Sequence, residues 1–397
     1  MRILQLNATV NWGSTGKITE GIGNVAISQG LDSYIGYGRY KTPSSSHIIK
    51  VGTKLDIYTH YAKHKFLNKE GYGCKRATNG LIKRISEIKP DIIHLHNIHD
   101  HWLNYPILFS YLKSIDTPVV WTFHDCWAFT GGCAHFVEYG CLKWKTDCSD
   151  CPLKRLNSGR SSKNLSDKIE SIKSLGDRIH LISVSHWLDS LVAESRLGEI
   201  SHSVIYNGID TDTFKPRDYS EIESKYNLKG KKVLLAVSNV WPESKGLKDF
   251  IELRKFLDSD FIIILVGLPK DLISKLPDGI LGIERTSNIN ELCAFYTRAD
   301  AVLSLSKAET FGLTLIEGQA CGTPSIGYAS TAINELINDE NGLKVETSNI
   351  QQIAEAAKFV CETKQFSSAV LRNNVIQNYK SDNQLKKYLE LYSSLLS

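Results

Sequence analysis

Short apolar runs alternate with longer amphipathic stretches from one end of the chain to the other. Apolar runs over 2–6, 33–37, 92–95, 119–122 and 180–184 are separated by segments of helical periodicity. A second series over 233–237, 261–266, 280–284, 301–305 and 324–327 follows, with helices near 247–257, 289–298 and 313–321. Such alternation predicts βα units packed around parallel sheets, here two Rossmann-like α/β domains in tandem. Between the two series, Asn207, Gly208, Asp210 and Pro216 punctuate the pattern, which places the hinge there. The expected division is 1–210, 211–375, and a final segment 376–397 whose apolar-periodic helix packs back on the first domain.

Composition narrows this picture. A chain of 397 residues suits two domains of roughly 150 residues or somewhat more. With 42% hydrophobic and 23% charged residues it can bury substantial cores and has no signature of wholesale disorder. The longest unbroken apolar run, 261–266, falls far short of the roughly 20 residues a spanning helix needs. The opening MRILQLNATV is interrupted by Gln5 and Asn7, so it reads as a first strand rather than a signal peptide. Net charge is 47 − 43 = +4, too mild to imply nucleic acid. Nine cysteines, an odd number without an export signal, point to reduced thiols or a metal site in the cytoplasm.

The run from Ser306 to Pro324 lies between a predicted strand and a predicted helix and carries two acids. Glu309 falls in the loop at the strand's carboxyl end, where open α/β sheets bind ligands, and Glu317 falls about a turn into the helix. At helical rise they span roughly 12 Å at most, so they can hold hydroxyls at two points of one extended molecule. The backbone N–H groups near Gly312 and Leu313 open that helix and offer an anion site between them. Lys245, in the loop after 233–237, is placed to stabilise charge growing on a leaving diphosphate. Gly13 and Gly16 allow a tight turn into the first helix and close approach of a phosphate or acceptor. His124 and Asp125 follow the run 119–122; an imidazole there can orient a sugar hydroxyl or serve as a hydrogen-bonded structural group.

The run from Ser306 to Pro324 resembles the Glu-x7-Glu signature of retaining glycosyltransferases of family 4, whose two Rossmann-like domains face each other across a cleft in the arrangement called GT-B. Gly13-Ser-Thr-Gly16, Trp121-Thr-Phe-His-Asp125, Tyr206-Asn-Gly-Ile-Asp210, Trp241-Pro-Glu-Ser-Lys-Gly246 and Cys321-Gly-Thr-Pro324 occur in that family's order. The resemblance implies that Glu309 holds hydroxyls of the transferred sugar, Glu317 the ribose, and Lys245 the diphosphate. Gly16, Phe311, Gly312 and Leu313 complete the donor site it implies. His96, His124 and Asp125 fall on the acceptor side, with His124 supporting catalysis. It further implies retention of configuration, the acceptor attacking on the leaving-group face while a diphosphate oxygen takes its proton. No cofactor or divalent metal is implied for catalysis. Where the family usually has an arginine in the loop of Lys245, this chain has Asn239 and Ser244 nearby.

Three further features carry chemistry. His94, His96, His99 and His101 cluster; period-two alternation puts the first two on one strand face, and no spacing matches a familiar zinc set. They read as acceptor-cleft lining or as buried hydrogen-bonded groups. Cys133, Cys141, Cys148 and Cys151 form Cys-x7-Cys-x6-Cys-x2-Cys in a glycine-rich irregular loop, open to a structural zinc, free thiols or disulfides. Residues 54–89 hold nine bases against three acids, which favours either solvated helix faces or peripheral contact with an anionic membrane at its inner face.

The expected activity is therefore transfer of a sugar from a nucleotide-sugar to a saccharide or lipid-linked acceptor, in surface or capsular polysaccharide synthesis. A sugar-nucleotide epimerase of the same architecture and a non-catalytic nucleotide-sugar binding protein are the alternatives. A dehydrogenase is disfavoured because Gly13-Ser-Thr-Gly16 is not a Gly-x-Gly-x-x-Gly fingerprint.

Overall fold

The computed structural model describes residues 1–152 and 158–397, which divide into two compact units. The first comprises Met1–Tyr206 with Gln384–Ser397, and the second Asn207–Asn383. Residues 376–383 thus group with the second unit, and 384–397 return to the first.

In the first unit, strands β1 (Arg2–Asn7), β2 (Asp32–Tyr37), β3 (His47–Lys50), β4 (Ile92–Leu95), β5 (Val119–Phe123), β6 (Ile179–Ser183) and β7 (His202–Val204) form one sheet. Its order is β3-β2-β1-β4-β5-β6-β7, and every pairing is parallel. The second unit has β8 (Lys232–Val237), β9 (Phe261–Val266), β10 (Ile280–Ile283), β11 (Ala301–Ser304), β12 (Ser325–Tyr328) and β13 (Gly342–Val345). These pair in parallel in the order β10-β9-β8-β11-β12-β13. Two doubly wound sheets agree with the expected architecture.

Both sheets reverse their winding beside their first strand, between β1 and β4 and between β8 and β11. Loops leaving the carboxyl ends at such a reversal splay to opposite faces and leave a crevice for ligands. The central strands are buried on both faces, so they read as continuous apolar runs. On one face of the second sheet Leu234, Ile263, Leu303 and Ile326 pack with Phe250 and Ala357; on the other, Val233, Ile264 and Val302 pack with Phe295 and Leu315.

The closing helix Ser381–Leu396 completes the first unit. Tyr388, Leu389 and Tyr392 join Ile3, Ile22, Ile92 and Val120 in one core. His94, wholly buried in β4, shares a hydrogen bond of 2.6 Å with the Tyr392 hydroxyl through Nδ1 and one of 2.8 Å with Thr122 through Nε2. It is a structural histidine. Where the chain crosses between units, Ile209 N–H donates to the Tyr379 carbonyl at 2.9 Å and Ser381 N–H to the Ile209 carbonyl at 2.8 Å. The outgoing and returning segments are therefore bonded to each other, and Gly208 has no room for a side chain because Ser381 Cα would lie 2.4 Å from its Cβ.

Candidate active site

The loop after β8 runs over 238–246 and ends in a single turn, Glu243–Lys245, before the helix Leu247–Leu253. The loop after β11 runs over 305–312 and opens the helix Leu313–Ala320. Because β8 and β11 are neighbours at the reversal, the two loops emerge side by side. They are also fastened, Lys307 N–H donating to the Ser244 carbonyl at 2.9 Å. Gly246 permits this closeness: its φ is +76°, and a Cβ would sit 2.4 Å from the Leu305 carbonyl oxygen. Any other residue forces the backbones apart.

This fastening brings Lys245 and Glu309 into an ion pair, Nζ to carboxylate 2.5 Å, with side chains about a quarter exposed. Glu309 is held by its own backbone, its N–H donating to Thr331 Oγ1 at 3.3 Å and its carbonyl accepting from Ala332 N–H at 3.2 Å. Gly312, with φ of +106°, precedes the helix Leu313–Ala320, so that helix starts four residues beyond Glu309. Glu317 lies one turn further along and accepts from the Tyr296 hydroxyl at 2.7 Å. Burial and then the Glu317 charge push the Tyr296 phenol well above its ordinary value, so it stays a donor. Phe311 is buried, packing edge-on to Tyr379 with centroids 6.1 Å apart, which supports the loop from beneath. Lys245, Glu309, Gly312, Leu313 and Glu317 thus share one unit and one reversal. Tyr296 had no sequence signal, since its role depends on the helix Ile289–Arg298 facing the helix Leu313–Ala320.

Gly16 belongs to the first unit, in the helix Gly13–Ser28. A Cβ there would lie 2.7 Å from Thr9 Oγ1, so the residue lets this helix press against the loop after β1. Across the same reversal stand the groups after β4 and β5. His96, expected to line an acceptor cleft or to be a buried hydrogen-bonded group, is buried just beyond the carboxyl end of β4. Its ring bonds Gln5 Oε1 at 3.2 Å and His124 Nε2 at 3.1 Å, so it positions His124 from behind. Burial lowers His124 to about 4 and keeps it neutral.

Asp125 takes a different partner. Its carboxylate lies 2.9 Å from His99 Nε2 and accepts from Trp127 N–H at 2.8 Å. Burial opposes charge on both groups, yet their mutual attraction raises His99 to about 9 and lowers Asp125 to about 2. Beyond it, Glu70 accepts from Trp127 Nε1 at 3.1 Å. Burial works against the Glu70 charge, but His99, His64, His101 and Lys168 together hold it below the ordinary carboxylate range. His64 Nδ1 and His101 Nε2 are 2.8 Å apart, with Glu70 oxygens 3.9 Å from His64 Nε2 and 4.0 Å from His101 Nε2. Among the described residues, these three are the one set of potential metal ligands whose donor atoms lie within 4.8 Å of one another.

Cys133, Cys141, Cys148 and Cys151 border a single cavity between Trp144 and Ser161. The basic stretch forms the helices Lys54–Leu67 and Lys75–Ile88. In the first, His60 is the one buried residue, while Leu55, Tyr58 and Phe66 are 71%, 70% and 58% exposed. No described helix is long and apolar enough to cross a membrane.

Comparison with known proteins follows the division into units. Residues 42–213 match the family Glycosyltransferase Family 4, and residues 218–382 match Glycosyl transferases group 1. A protein of Escherichia coli K12 named as a colanic acid biosynthesis glycosyl transferase, WcaC, is 24% identical over 426 aligned positions, covering all of both chains. Among solved structures, sucrose-phosphate synthase from Thermosynechococcus elongatus superposes with a TM-score of 0.74 at 14% identity, covering 99% of this chain and 98% of that one. Anabaena HepE, solved with UDP and glucose, superposes with a TM-score of 0.68 at 14% identity, covering 99% of this chain and all of that one.

Proposed function

We propose that this chain, a glycosyltransferase of the GT-B type, takes its nucleotide-sugar donor on Lys245, Glu309, the amides at Gly312 and Leu313, and Glu317, and transfers the sugar with retention of configuration. The observation that carries this reading is the meeting of Lys245 with Glu309 at the β8–β11 reversal, directly before a helix start. A diphosphate bound there receives the helix-end N–H groups and the Lys245 ammonium, which offset the negative charge that grows as the bond to the sugar breaks. Glu309, relieved of part of its contact with Lys245, accepts from sugar hydroxyls, and Glu317, oriented by Tyr296, accepts from the ribose. The acceptor hydroxyl attacks on the leaving-group face and passes its proton to a diphosphate oxygen. This sequence of events needs no side-chain nucleophile.

The acceptor belongs, on this reading, to the reversal in the first unit, with neutral His124 as a hydroxyl partner backed by His96, and Asp125 beside it. A saccharide acceptor carried on a lipid is favoured by the helix Lys54–Leu67, which sets Leu55, Tyr58 and Phe66 in solvent among Lys54, Lys63 and Lys65. Apolar and basic groups together on an exposed helix suit an anionic membrane surface. The E. coli relative's name, in colanic acid biosynthesis, supports a role in polysaccharide assembly.

The test is a panel of nucleotide-sugars incubated with and without candidate acceptors. Acceptor-stimulated nucleotide release, with the product's anomeric configuration matching the donor's by NMR, is expected. An inverted product removes the retaining mechanism, and interconversion of the sugar nucleotide without acceptor identifies an epimerase.

A further inference from the structure

Between β5 and the helix Ser161–Lys173, the described residues form only three-residue turns, Trp127–Phe129, Val137–Tyr139, Lys143–Lys145 and Ser158–Arg160. Connections of this length without regular structure are uncommon in compact units and call for another source of order. Phe129, Phe136 and Trp144 supply a small aromatic cluster, with ring centroids 5.5 Å apart for Phe129–Trp144 and 4.9 Å for Phe136–Trp144. Phe129 also packs on Phe123, but over 137–152 Trp144 is the one buried residue, so that stretch has little core of its own. On the border of the cavity beside them stand the thiols of Cys133, Cys141, Cys148 and Cys151.

Burial raises the Cys148 thiol, and the Gly131 N–H and the Lys168 charge work against that rise. Cys148 Sγ accepts a hydrogen bond from Gly131 N–H at 3.2 Å, and Cys148 N–H donates to the Lys143 carbonyl at 2.9 Å. N–H groups directed at sulfur are the outer contacts that orient metal-bound thiolates. Cys148 and Cys151 are separated by two residues, a chelating spacing. Lys168 is buried, bonded to the Trp127 carbonyl and 3.9 Å above that ring, within electrostatic reach of both Cys148 and Cys133. Four thiolates on one divalent ion leave two net negative charges, which a neighbouring buried ammonium offsets. No disulfide forms among the described residues.

We propose that Cys133, Cys141, Cys148 and Cys151 bind one zinc ion, a structural site that fastens the segment carrying Asp125 and Trp127. No three of these four sulfurs lie within 4.8 Å of one another, so binding has to draw them together. Each thiol gives up its proton to solvent as it binds. The site is independent of the donor chemistry described above.

The full chain, purified under reducing conditions without chelator, is expected to carry about one zinc per chain. Exchange into cobalt should produce sulfur-to-cobalt charge-transfer bands and the intense visible absorption of a tetrahedral four-sulfur site. Cys148→Ser with Cys151→Ser is expected to abolish both, whereas His101→Ala leaves them intact. Folded, reduced protein that takes up neither metal overturns the proposal. So does a bound metal that survives the cysteine changes and is lost with His101→Ala, which assigns it to the His64–Glu70–His101 set. If the double variant does not fold, the cobalt spectrum of the unaltered chain decides, because imidazole and carboxylate ligands give no sulfur bands.

Discussion

Lys245 and Glu309 are 64 residues apart in sequence and 2.5 Å apart in the folded chain. The partnership joins the loops that follow two neighbouring strands, and Lys307 and Gly246 lock those loops together. Lys245→Ala and Glu309→Gln are each expected to lower kcat by roughly 10²–10³, the usual effect of losing one preorganised charge in a transition state. Thermal stability should change by less than about 1 kcal/mol, because the pair is partly solvated. Steady-state kinetics alongside thermal melts check both halves, and full turnover in either variant removes the proposed donor site.

Tyr296 offers a separate handle on the second acid. Tyr296→Phe leaves the Glu317 charge in place and removes the bond that orients it. KM for the donor should rise about tenfold, equivalent to roughly 1.4 kcal/mol, while kcat changes little. An unchanged KM means that Glu317 does not touch the donor.

Gly246→Ala tests the fastening. A side chain at positive φ, 2.4 Å from the Leu305 carbonyl, should cost at least about 2 kcal/mol or displace the loop of Lys245. Loss of donor binding at a temperature where circular dichroism shows a folded chain is the expected result.

The His99–Asp125 pair makes a pH-dependent contribution whose direction follows from both shifts. His99 is raised to about 9, so its contribution is whole below about 6.5 and is lost as pH climbs through 9. Asp125 is lowered to about 2, so its contribution is whole above about 4 and is lost as pH falls towards 2. Asp125→Asn should therefore cost most between about pH 4 and 6.5, up to about 3 kcal/mol, and progressively less above pH 9. NMR titration of the imidazoles should find the His99 midpoint near 9 in the unaltered chain and lower in the variant, where only Asp100 and Glu70 still oppose burial.

Vesicle co-sedimentation addresses the exposed helix Lys54–Leu67. Lys63→Glu with Lys65→Glu should weaken binding to anionic vesicles by at least tenfold, at roughly 1 kcal/mol per base, and Phe66→Ala should weaken it further. Binding that ignores both salt and anionic lipid would count against a membrane role.

The central strands were legible because burial on both faces makes them unbroken apolar runs. The strands that escaped, His47–Lys50, His202–Val204 and Gly342–Val345, are all at sheet edges, where three or four residues with one face exposed leave no such run. Lys245, Glu309 and Glu317 could be read from ordered motifs, since loops after strand ends are where ligand chemistry collects. His96 could not be placed, because period-two alternation tells which residues share a face without telling that this face is core. Glu70 and Lys168 meet Trp127, and His64 meets Glu70, only through folding, and no local spacing announces them.

The bond between His94 and Tyr392 has a consequence for biosynthesis. A ribosome that has finished residues 1–206 has made every strand of the first sheet, but the aromatic side chains that close its core follow only after the whole second unit has been made. The second unit, contiguous in sequence, can mature while the first stays open. Translation cut short just before the closing helix would thus release a chain whose later half is folded and whose earlier half is exposed to proteases, and an isolated first half needs residues 384–397 grafted to it before it can stand alone.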